Sequence, residues 1–171
     1  DLHNRTHSFP TRRSSDLQAA AARLGLTDRI TWLGARSQQE VLAAYRRADL
    51  FVLPSRIAAD GDRDGLPNVL VEAQSQGLAV LSTTTSGIPE LVTDGVSGRL
   101  VAPGDPAALA AALAELMSDP AKRMALGAAG AAVVRERFSA DTGLARLAAL
   151  FDITPHAPSS ASVRATLAAG E

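Results

Sequence analysis

Residues 64–92 read "DGLPNVLVEAQSQGLAVLSTTTSGIPELV", and this stretch decides the fold class. Its segment 67–77 has a proline in the first turn and a glycine at the end, which is typical of a helix. The segment 78–84 is a continuous apolar run that predicts a buried strand. Gly87 follows this strand, and Pro89 opens a further helical turn. The stretch therefore predicts a helix, a strand and a second helix start in direct succession.

The rest of the chain repeats this alternation of helix and strand. Residues 37–48 begin with Ser37 and carry Glu40 three positions later, which is the pattern of a helix capping box. Residues 49–55, "DLFVLPS", are a fully apolar segment that predicts a strand. Further strands are predicted at 29–34 and 97–103, and Ala-rich helices from Asp105 to about Phe151. Strands apolar on both faces that alternate with helices predict an α/β fold, a Rossmann-like parallel sheet with helices on both faces.

Composition excludes several classes of protein. The chain has 171 residues, 46% of them apolar, no cysteine and a net charge of −1. Disulfides and thiolate metal sites are therefore excluded, and nothing in the charge favours nucleic acid. The three histidines lie near the ends of the chain, so the patterned middle contains no histidine base. No apolar run approaches the ~20 residues of a membrane span, and a cytoplasmic location is the default expectation.

The two ends of the chain differ in composition from the middle. Residues 1–17, "DLHNRTHSFPTRRSSDL", have no apolar periodicity and resemble a translated sequencing adaptor. We interpret them as a disordered artefact, which implies that the chain is a truncated piece of a longer protein. Residues 153–171 are rich in Pro, Ser and Ala and are expected to form a flexible tail. The ordered domain is therefore predicted to span residues 18–152.

Ligands of parallel α/β sheets bind beyond the carboxyl ends of the strands, which selects the loops 56–68 and 84–90. The first loop contains "DGDRDG", whose acids and glycine match the first positions of a calcium loop. The required glutamate falls one residue late, at Glu72, and one residue on a helix is a rotation of ~100°. A strand also precedes the loop where a helix is needed. Calcium is therefore disfavoured, and Asp60 and Asp62 are also compatible with a plain solvated loop.

The same loop fits an anion at the start of a helix. Pro67 suits the first helical position, and the amides of Asn68, Val69 and Leu70 then have no partner within the helix. With the helix dipole, these amides form an anion site. Glu72 lies one turn further on the same side as Asn68, where its carboxylate suits the two hydroxyls of a ribose.

The second loop offers a similar arrangement. The amides of Gly87 and Ile88 are predicted to hold the same phosphate from the other side, although an ordinary β-turn before a short helix is an alternative. No G-x-G-x-x-G motif follows a strand, which argues against a dinucleotide redox domain.

The segments "WLG", "YRRADLFVLPS" and "DGLPNVLVEAQSQGLAVLSTTTSGIPELVTDGVSGRLVAPGD" resemble the C-terminal domain of glycosyltransferase family four, also called glycosyl transferases group one. The resemblance runs from about Arg29 to Phe151. It implies the C-terminal half of a GT-B enzyme, the half that binds a nucleotide-diphosphate sugar such as a UDP-sugar or GDP-sugar. It also implies transfer with retention of anomeric configuration and without a metal.

The resemblance assigns roles to the two acids of the first loop. The paired acids of the family, eight residues apart, correspond to Asp64 and Glu72. Glu72 is expected to bind the ribose hydroxyls, and Asp64 to contact a hydroxyl of the transferred sugar. The family usually has a glutamate at the first of these positions, so Asp64 is one methylene shorter.

The remaining expected contacts are main-chain groups. The resemblance places Gly65 and Leu66 near the sugar, Asn68 and Val69 near the diphosphate, and Gly34 near the base. In the second loop, the family often has another glycine where this chain has a serine, directly before Gly87.

The partners implied are a nucleotide-sugar donor and a saccharide or lipid-linked acceptor. The acceptor would bind through the missing N-terminal domain, so this fragment alone is expected to be inactive. That missing half could also associate peripherally with the inner membrane face. The alternative is a non-catalytic nucleotide-sugar binding module or a GT-B-like sugar-nucleotide epimerase, for which the patterned middle offers only carboxylates as acid and base groups.

Overall fold

The computed structural model describes residues 11–57 and 65–152, which belong to two compact units. The first unit comprises residues 1–37 and the second residues 38–171. The described part of the first unit contains helix α1, Thr11–Arg23, and a short 3₁₀ turn, Thr27–Arg29. The second unit contains the remaining helices and all the strands of the described ranges.

Helix α1 includes residues that the sequence analysis assigns to a disordered end. We expected disorder up to residue 17, but residues 11–17 are helical and continuous with the alanine-rich segment that follows. Once a helix is nucleated, each added residue contributes one more hydrogen bond, so a strong helix-forming segment extends into its neighbours. The prediction of disorder is therefore wrong for residues 11–17, and residues 1–10 lie outside the described part of the chain.

The predicted strand at residues 29–34 does not form. Arg29 ends the 3₁₀ turn, and residues 30–34 belong to no strand of the described sheet. The side chains of Ile30, Trp32 and Leu33 are all more than a third exposed. A strand is stable only when a neighbour completes its hydrogen bonds, and apolar residues alone cannot supply that neighbour.

The second unit alternates strands and helices as predicted. Three short parallel strands form one sheet in the order β1–β2–β3. The strands are β1 (Phe51–Leu53), β2 (Val80–Thr83) and β3 (Arg99–Val101). The helices are α2 (Gln38–Arg47), α3 (Asn68–Ser75), α4 (Ile88–Leu91), α5 (Pro106–Ser118), α6 (Pro120–Arg137) and α7 (Ala140–Leu150). The strands are shorter than the segments in which they were predicted.

Helices cover both faces of the sheet, which confirms the predicted fold class. Val80 of β2 belongs to a buried cluster with Leu70 of α3 and Leu91 of α4. The next residue, Leu81, points to the opposite face and packs in a second cluster with Leu116 of α5. Successive side chains of a strand alternate between faces, so β2 is fully buried on both sides.

The C-terminal end of α3 packs directly on α6. A Cβ atom added to Gly127 of α6 would lie 2.1 Å from the carbonyl oxygen of Gly77, so no side chain fits there. One turn later, a Cβ on Gly130 would lie 2.7 Å from Nε2 of Gln74, which is fully buried and donates to the Ser97 carbonyl at 2.7 Å. This contact fixes the position and direction of α3, and hence of its N-terminal end.

Candidate functional site

The two loops selected from the sequence meet at the carboxyl end of the sheet. One loop leads to α3 and the other lies between β2 and α4. The amide of Gly87 donates to the carbonyl of Gly65 at 3.0 Å, which confirms that the loops are neighbours. A Cβ on Gly87 would lie 3.3 Å from the carbonyl carbon and oxygen of Gly65. A side chain at position 87 would therefore fit only if one of the two neighbouring stretches of main chain moved by a few tenths of an ångström.

Helix α3 begins with open main-chain amides, that is, amides that donate to no acceptor among the described residues. There are fewer of them than the sequence predicts. Pro67 precedes the helix, with φ −64° and ψ 122°, instead of occupying its first turn. The amide of Leu70 donates to the Pro67 carbonyl at 3.0 Å, so the expectation that it is open is wrong. The amides of Asn68 and Val69 donate to no acceptor within residues 11–57 and 65–152. Both residues are exposed, and α3 therefore offers two donors at its positive end.

The amides of the second loop are already in use. The Gly87 amide bonds to Gly65, and the Ile88 amide donates to the Thr85 carbonyl at 3.2 Å. The Ile88 side chain is only 1% exposed and belongs to the apolar core beside α3. The prediction that these two amides face a phosphate is therefore not supported by the geometry. The alternative, a turn before a short helix, describes this loop better, and its contribution is to hold Gly65.

Ser86, the residue before Gly87, has a left-handed backbone with φ 51°. Glycine adopts this conformation at low cost, whereas other residues are strained by roughly 1–2 kcal/mol. The structure thus gives a physical reason for the second glycine that the family resemblance leads one to expect here. The loop keeps its conformation with serine because the bonds of Gly87 and Ile88 hold it.

Glu72 lies half-buried on the side of α3 that faces α2. Burial, and next the negative charge on Glu72, raise the pKa of the Tyr45 phenol on α2, so the carboxylate and the phenol are near each other. The Tyr45 ring also contacts the Phe51 ring edge to face, with centroids 5.5 Å apart. One turn further along α3, Gln76 accepts from Arg46 Nε at 2.9 Å. These contacts place the Glu72 side of α3 against α2, four residues beyond Asn68.

A group of hydroxyls at the end of β2 was missed by the sequence reasoning. Thr83 Oγ1 donates to the Ser55 carbonyl at 2.6 Å, and Thr85 Oγ1 donates to the same carbonyl at 3.1 Å. The two hydroxyls are 3.0 Å apart, and Ser82 Oγ donates to the Leu53 carbonyl at 2.6 Å. The run "STTTS" after an apolar strand was the available signal, because hydroxyls that follow a buried strand need acceptors nearby.

A cavity of about 170 Å³ lies at the carboxyl ends of the strands, on the face of the sheet that α5 covers. Its lining includes Arg56, Thr83, Val101 and Leu109 and contains no residue of α3. It is therefore separate from the open end of α3.

The aspartates of the first loop and Gly34, which the sequence analysis singles out, are not part of the site geometry described above. Asp64, Asp60 and Asp62 lie outside the described residues, and so does the calcium alternative that depended on them. Gly34 belongs to the first unit, where its φ of 66° is the left-handed conformation that favours glycine. Within the described residues, no cluster of acids and histidines has the arrangement of a metal site.

Comparison with known proteins decides the family. The family model described as "Glycosyl transferases group 1" matches residues 9–119. The chain belongs to this family. It is 38% identical over 138 residues to the amylovoran biosynthesis glycosyltransferase AmsK of Erwinia amylovora, covering 81% of this chain and 34% of that protein. It is 36% identical over 115 residues to a GDP-mannose-dependent phosphatidylinositol monomannoside mannosyltransferase of Corynebacterium glutamicum, covering 67% of this chain and 30% of that protein.

The solved structure of Anabaena HepE in complex with UDP-glucose has the same fold as this glycosyltransferase domain. The two agree with a TM-score of 0.73 and 26% sequence identity, over 85% of this chain and 38% of that one. The chain thus spans about a third of the length of the family members it resembles. In its described ranges, no helix combines the length and the apolar character needed to cross a bilayer.

Proposed function

We propose that this chain is the donor-binding domain of a glycosyltransferase and that the diphosphate of a nucleotide sugar binds at the start of α3. The observation that carries the proposal is that the amides of Asn68 and Val69, directly beside the Gly65–Gly87 contact, have no acceptor in the part of the chain that the structure describes. Such amides, with the positive end of the helix dipole, stabilise negative charge.

The geometry suits the chemistry of glycosyl transfer. Cleavage of the anomeric C–O bond leaves negative charge on the departing nucleoside diphosphate. Fixed main-chain donors stabilise that charge without having to reorganise during the reaction. Because α3 is fixed on α6 through Gly127, the amides of Asn68 and Val69 are held in place before the ligand arrives.

Glu72 is proposed to bind the ribose of the donor. Its carboxylate accepts hydrogen bonds only, which complements the two hydroxyls of a ribose. It lies four residues beyond Asn68, on the same side of α3. The diphosphate and the ribose of one nucleotide could therefore contact adjacent turns of this helix.

The finer features of the reaction are part of the same proposal. Asp64 is proposed to contact a hydroxyl of the transferred sugar, and transfer is proposed to retain the anomeric configuration. The acceptor, a saccharide or a lipid-linked saccharide, would bind outside this chain, so the chain alone would bind donor without transferring sugar. HepE was solved in complex with UDP-glucose and the Corynebacterium glutamicum mannosyltransferase is GDP-mannose-dependent, so uracil and guanine are both candidate bases. A cytoplasmic location with peripheral membrane association stays a prediction.

The test is nucleoside diphosphate binding by the isolated chain. UDP, GDP and ADP are titrated calorimetrically into the wild type and into Glu72→Ala. We expect one nucleotide to bind, and to bind Glu72→Ala roughly 10- to 100-fold more weakly, which corresponds to the loss of hydrogen bonds to a charged group.

The matched control is Glu136→Ala. Glu136 is an exposed glutamate of α6, far along the chain from the proposed site, and the variant removes the same charge from a helix. It should bind the nucleotide as the wild type does. Equal affinity of Glu72→Ala and the wild type would remove the ribose role, and no binding of any of the three nucleotides would contradict the donor site.

A further inference from the structure

The segment Thr83–Gly87 contacts the connection between β1 and α3 at two points, one close to β1 and one close to α3. On the β1 side, Thr83 Oγ1 and Thr85 Oγ1 both donate to the Ser55 carbonyl, at 2.6 and 3.1 Å. On the α3 side, the Gly87 amide donates to the Gly65 carbonyl at 3.0 Å. One five-residue segment therefore forms hydrogen bonds to both Ser55 and Gly65, which are ten residues apart in the sequence.

The side chains of Thr83 and Thr85, which carry these two hydroxyls, are buried. Thr83 is 3% exposed and Thr85 is 5% exposed, and their oxygens are 3.0 Å apart, so they form a small connected group around one carbonyl. Ser55 is half-buried, and a carbonyl that is partly shielded from water and loses both of its donors is less favourable in its present position. Removing the hydroxyls should therefore move Ser55 away from its present position.

The segment is itself anchored at its own ends. The Thr84 amide donates to the Val101 carbonyl of β3 at 3.0 Å, which extends the strand pairing beyond Thr83. At the other end, Ile88 is buried in the core beside Leu70 of α3. The segment is thus a fixed part of the scaffold against which Ser55 and Gly65 are positioned.

We propose that Thr83 and Thr85 are positioning residues for the nucleotide-sugar donor. Their bonds to the Ser55 carbonyl hold the segment Thr83–Gly87 in place, and the Gly87 amide of that segment holds Gly65 beside the first residues of α3. This inference rests on the proposed function, and it adds that side chains without ligand contact set the donor affinity. The two hydroxyls fix Ser55, the Gly87 amide fixes Gly65, and the amides of Asn68 and Val69 follow within four residues of Gly65.

The experiment removes the hydroxyls without changing the side-chain shape. The double variant Thr83→Val/Thr85→Val is compared with the wild type by calorimetric titration of UDP and GDP. We expect roughly 10-fold weaker binding, equivalent to the loss of about one hydrogen bond's contribution. Thr83→Ser/Thr85→Ser keeps the hydroxyls and should restore the affinity, which a purely space-filling role of the threonines would not predict.

The matched control is Thr84→Val. Thr84 is the intervening threonine, but its side chain is exposed and its hydroxyl has no partner among the described residues. The substitution is chemically the same, and the nucleotide affinity should stay that of the wild type.

Limited trypsin digestion gives a second readout that needs no ligand. Arg56 directly follows Ser55, and cleavage after it can be measured by mass spectrometry against cleavage after Arg146 in α7. In the double valine variant, cleavage after Arg56 should rise several-fold relative to Arg146. In Thr84→Val the ratio should not change.

The outcomes separate the inference from the proposed function. If the wild type binds a nucleotide and the double valine variant binds it equally well, with unchanged cleavage after Arg56, the positioning role is refuted and the donor site stands. If the wild type binds none of the nucleotides, the donor site fails and the positioning role fails with it. If the double valine variant binds the nucleotide more weakly and the double serine variant does so as well, the role of the hydroxyls is also refuted.

Discussion

The two ends of helix α3 are built in opposite ways. At its C-terminal end, Ala73 and Gln74 are fully buried, and the following turn contacts Gly127 of α6 so closely that no Cβ fits between them. At its N-terminal end, Asn68 and Val69 are exposed, and their amides have no acceptor within the described residues.

The difference shows how a short helix can present donors at a fixed position. Eight residues make too few hydrogen bonds to form a stable helix alone, so α3 depends on tertiary packing. The burial of Leu70, Ala73 and Gln74 supplies that stability, while the amides of the first two residues keep no acceptor among the described residues.

The largest effect is expected at the packed end, from Gly127→Ala. The added Cβ would overlap the Gly77 carbonyl oxygen, which is main chain and cannot move aside without shifting α3 or α6. We expect the free energy of unfolding to fall by about 3 kcal/mol or more, measured by urea denaturation. The control is Gly143→Ala in α7, where a Cβ has no heavy atom within 4 Å and should stabilise by about 0.5–1 kcal/mol. Similar stability of the two variants would contradict the close packing of α6.

Gly87→Ala, at the open end, is expected to lower the stability less than Gly127→Ala does, and it is also expected to weaken nucleotide binding. Gly87 has φ −80°, which suits alanine, so only the 3.3 Å approach to Gly65 opposes the substitution. We expect a loss of about 1–2 kcal/mol in the free energy of unfolding, and at least roughly 10-fold weaker nucleotide binding as Gly65 is displaced. The measurement is denaturation followed by calorimetry on the folded variant. Unchanged affinity would show that the position of Gly65 is unimportant to the ligand.

A spectroscopic test locates Glu72 relative to α2. Tyr45 is the only tyrosine of the chain, so the tyrosinate absorbance near 295 nm reports on it alone. Burial and the Glu72 charge raise its pKa above the ordinary 10.0, so Glu72→Gln should lower that pKa, while burial keeps part of the shift. Because the folded-state pKa is raised, the stability linked to the neutral phenol is full below pH 10 and lost as the pH rises through the folded-state value. A tyrosinate titration identical in the wild type and Glu72→Gln would mean that the carboxylate points away from Tyr45.

The smallest effect is expected from Ser86→Gly. Glycine relieves the left-handed strain at φ 51°, but it also increases the freedom of the unfolded chain, and each contribution is about 1 kcal/mol. The net change in the free energy of unfolding should be within about 0.5 kcal/mol, measured by urea denaturation. A clear destabilisation would indicate that the serine side chain makes a contact of its own.

Much of the fold could be predicted because the pattern of each segment matches its environment. The apolar run at 78–84 became a strand buried on both faces, and the Pro67-to-Gly77 pattern became α3. The side chain of Asp105 accepts from the Ala108 amide at 2.9 Å, as expected for the N-cap residue of a helix. These are local features, and their physical causes lie within a few residues in the sequence.

The failures occur where hydrogen-bond partners are distant in sequence. The segment 29–34 has a strand-like composition, but composition cannot supply a neighbouring strand. The Gly87 amide was assigned to a phosphate because its partner, the carbonyl of Gly65, is twenty-two residues away. The hydroxyls of Thr83 and Thr85 were overlooked for the same reason, since the Ser55 carbonyl is 28 and 30 residues away from them.

The sequence by itself determined the alternation of strands and helices, the family, and the residue types at the two loops, because these depend on local propensity and on motif. Only the tertiary structure decided which main-chain amides are open and which are already bonded. That distinction depends on which carbonyl lies within about 3 Å of each amide. It is settled by the packing of α3 on α6 and by the meeting of Gly65 with Gly87, contacts between residues far apart in the chain.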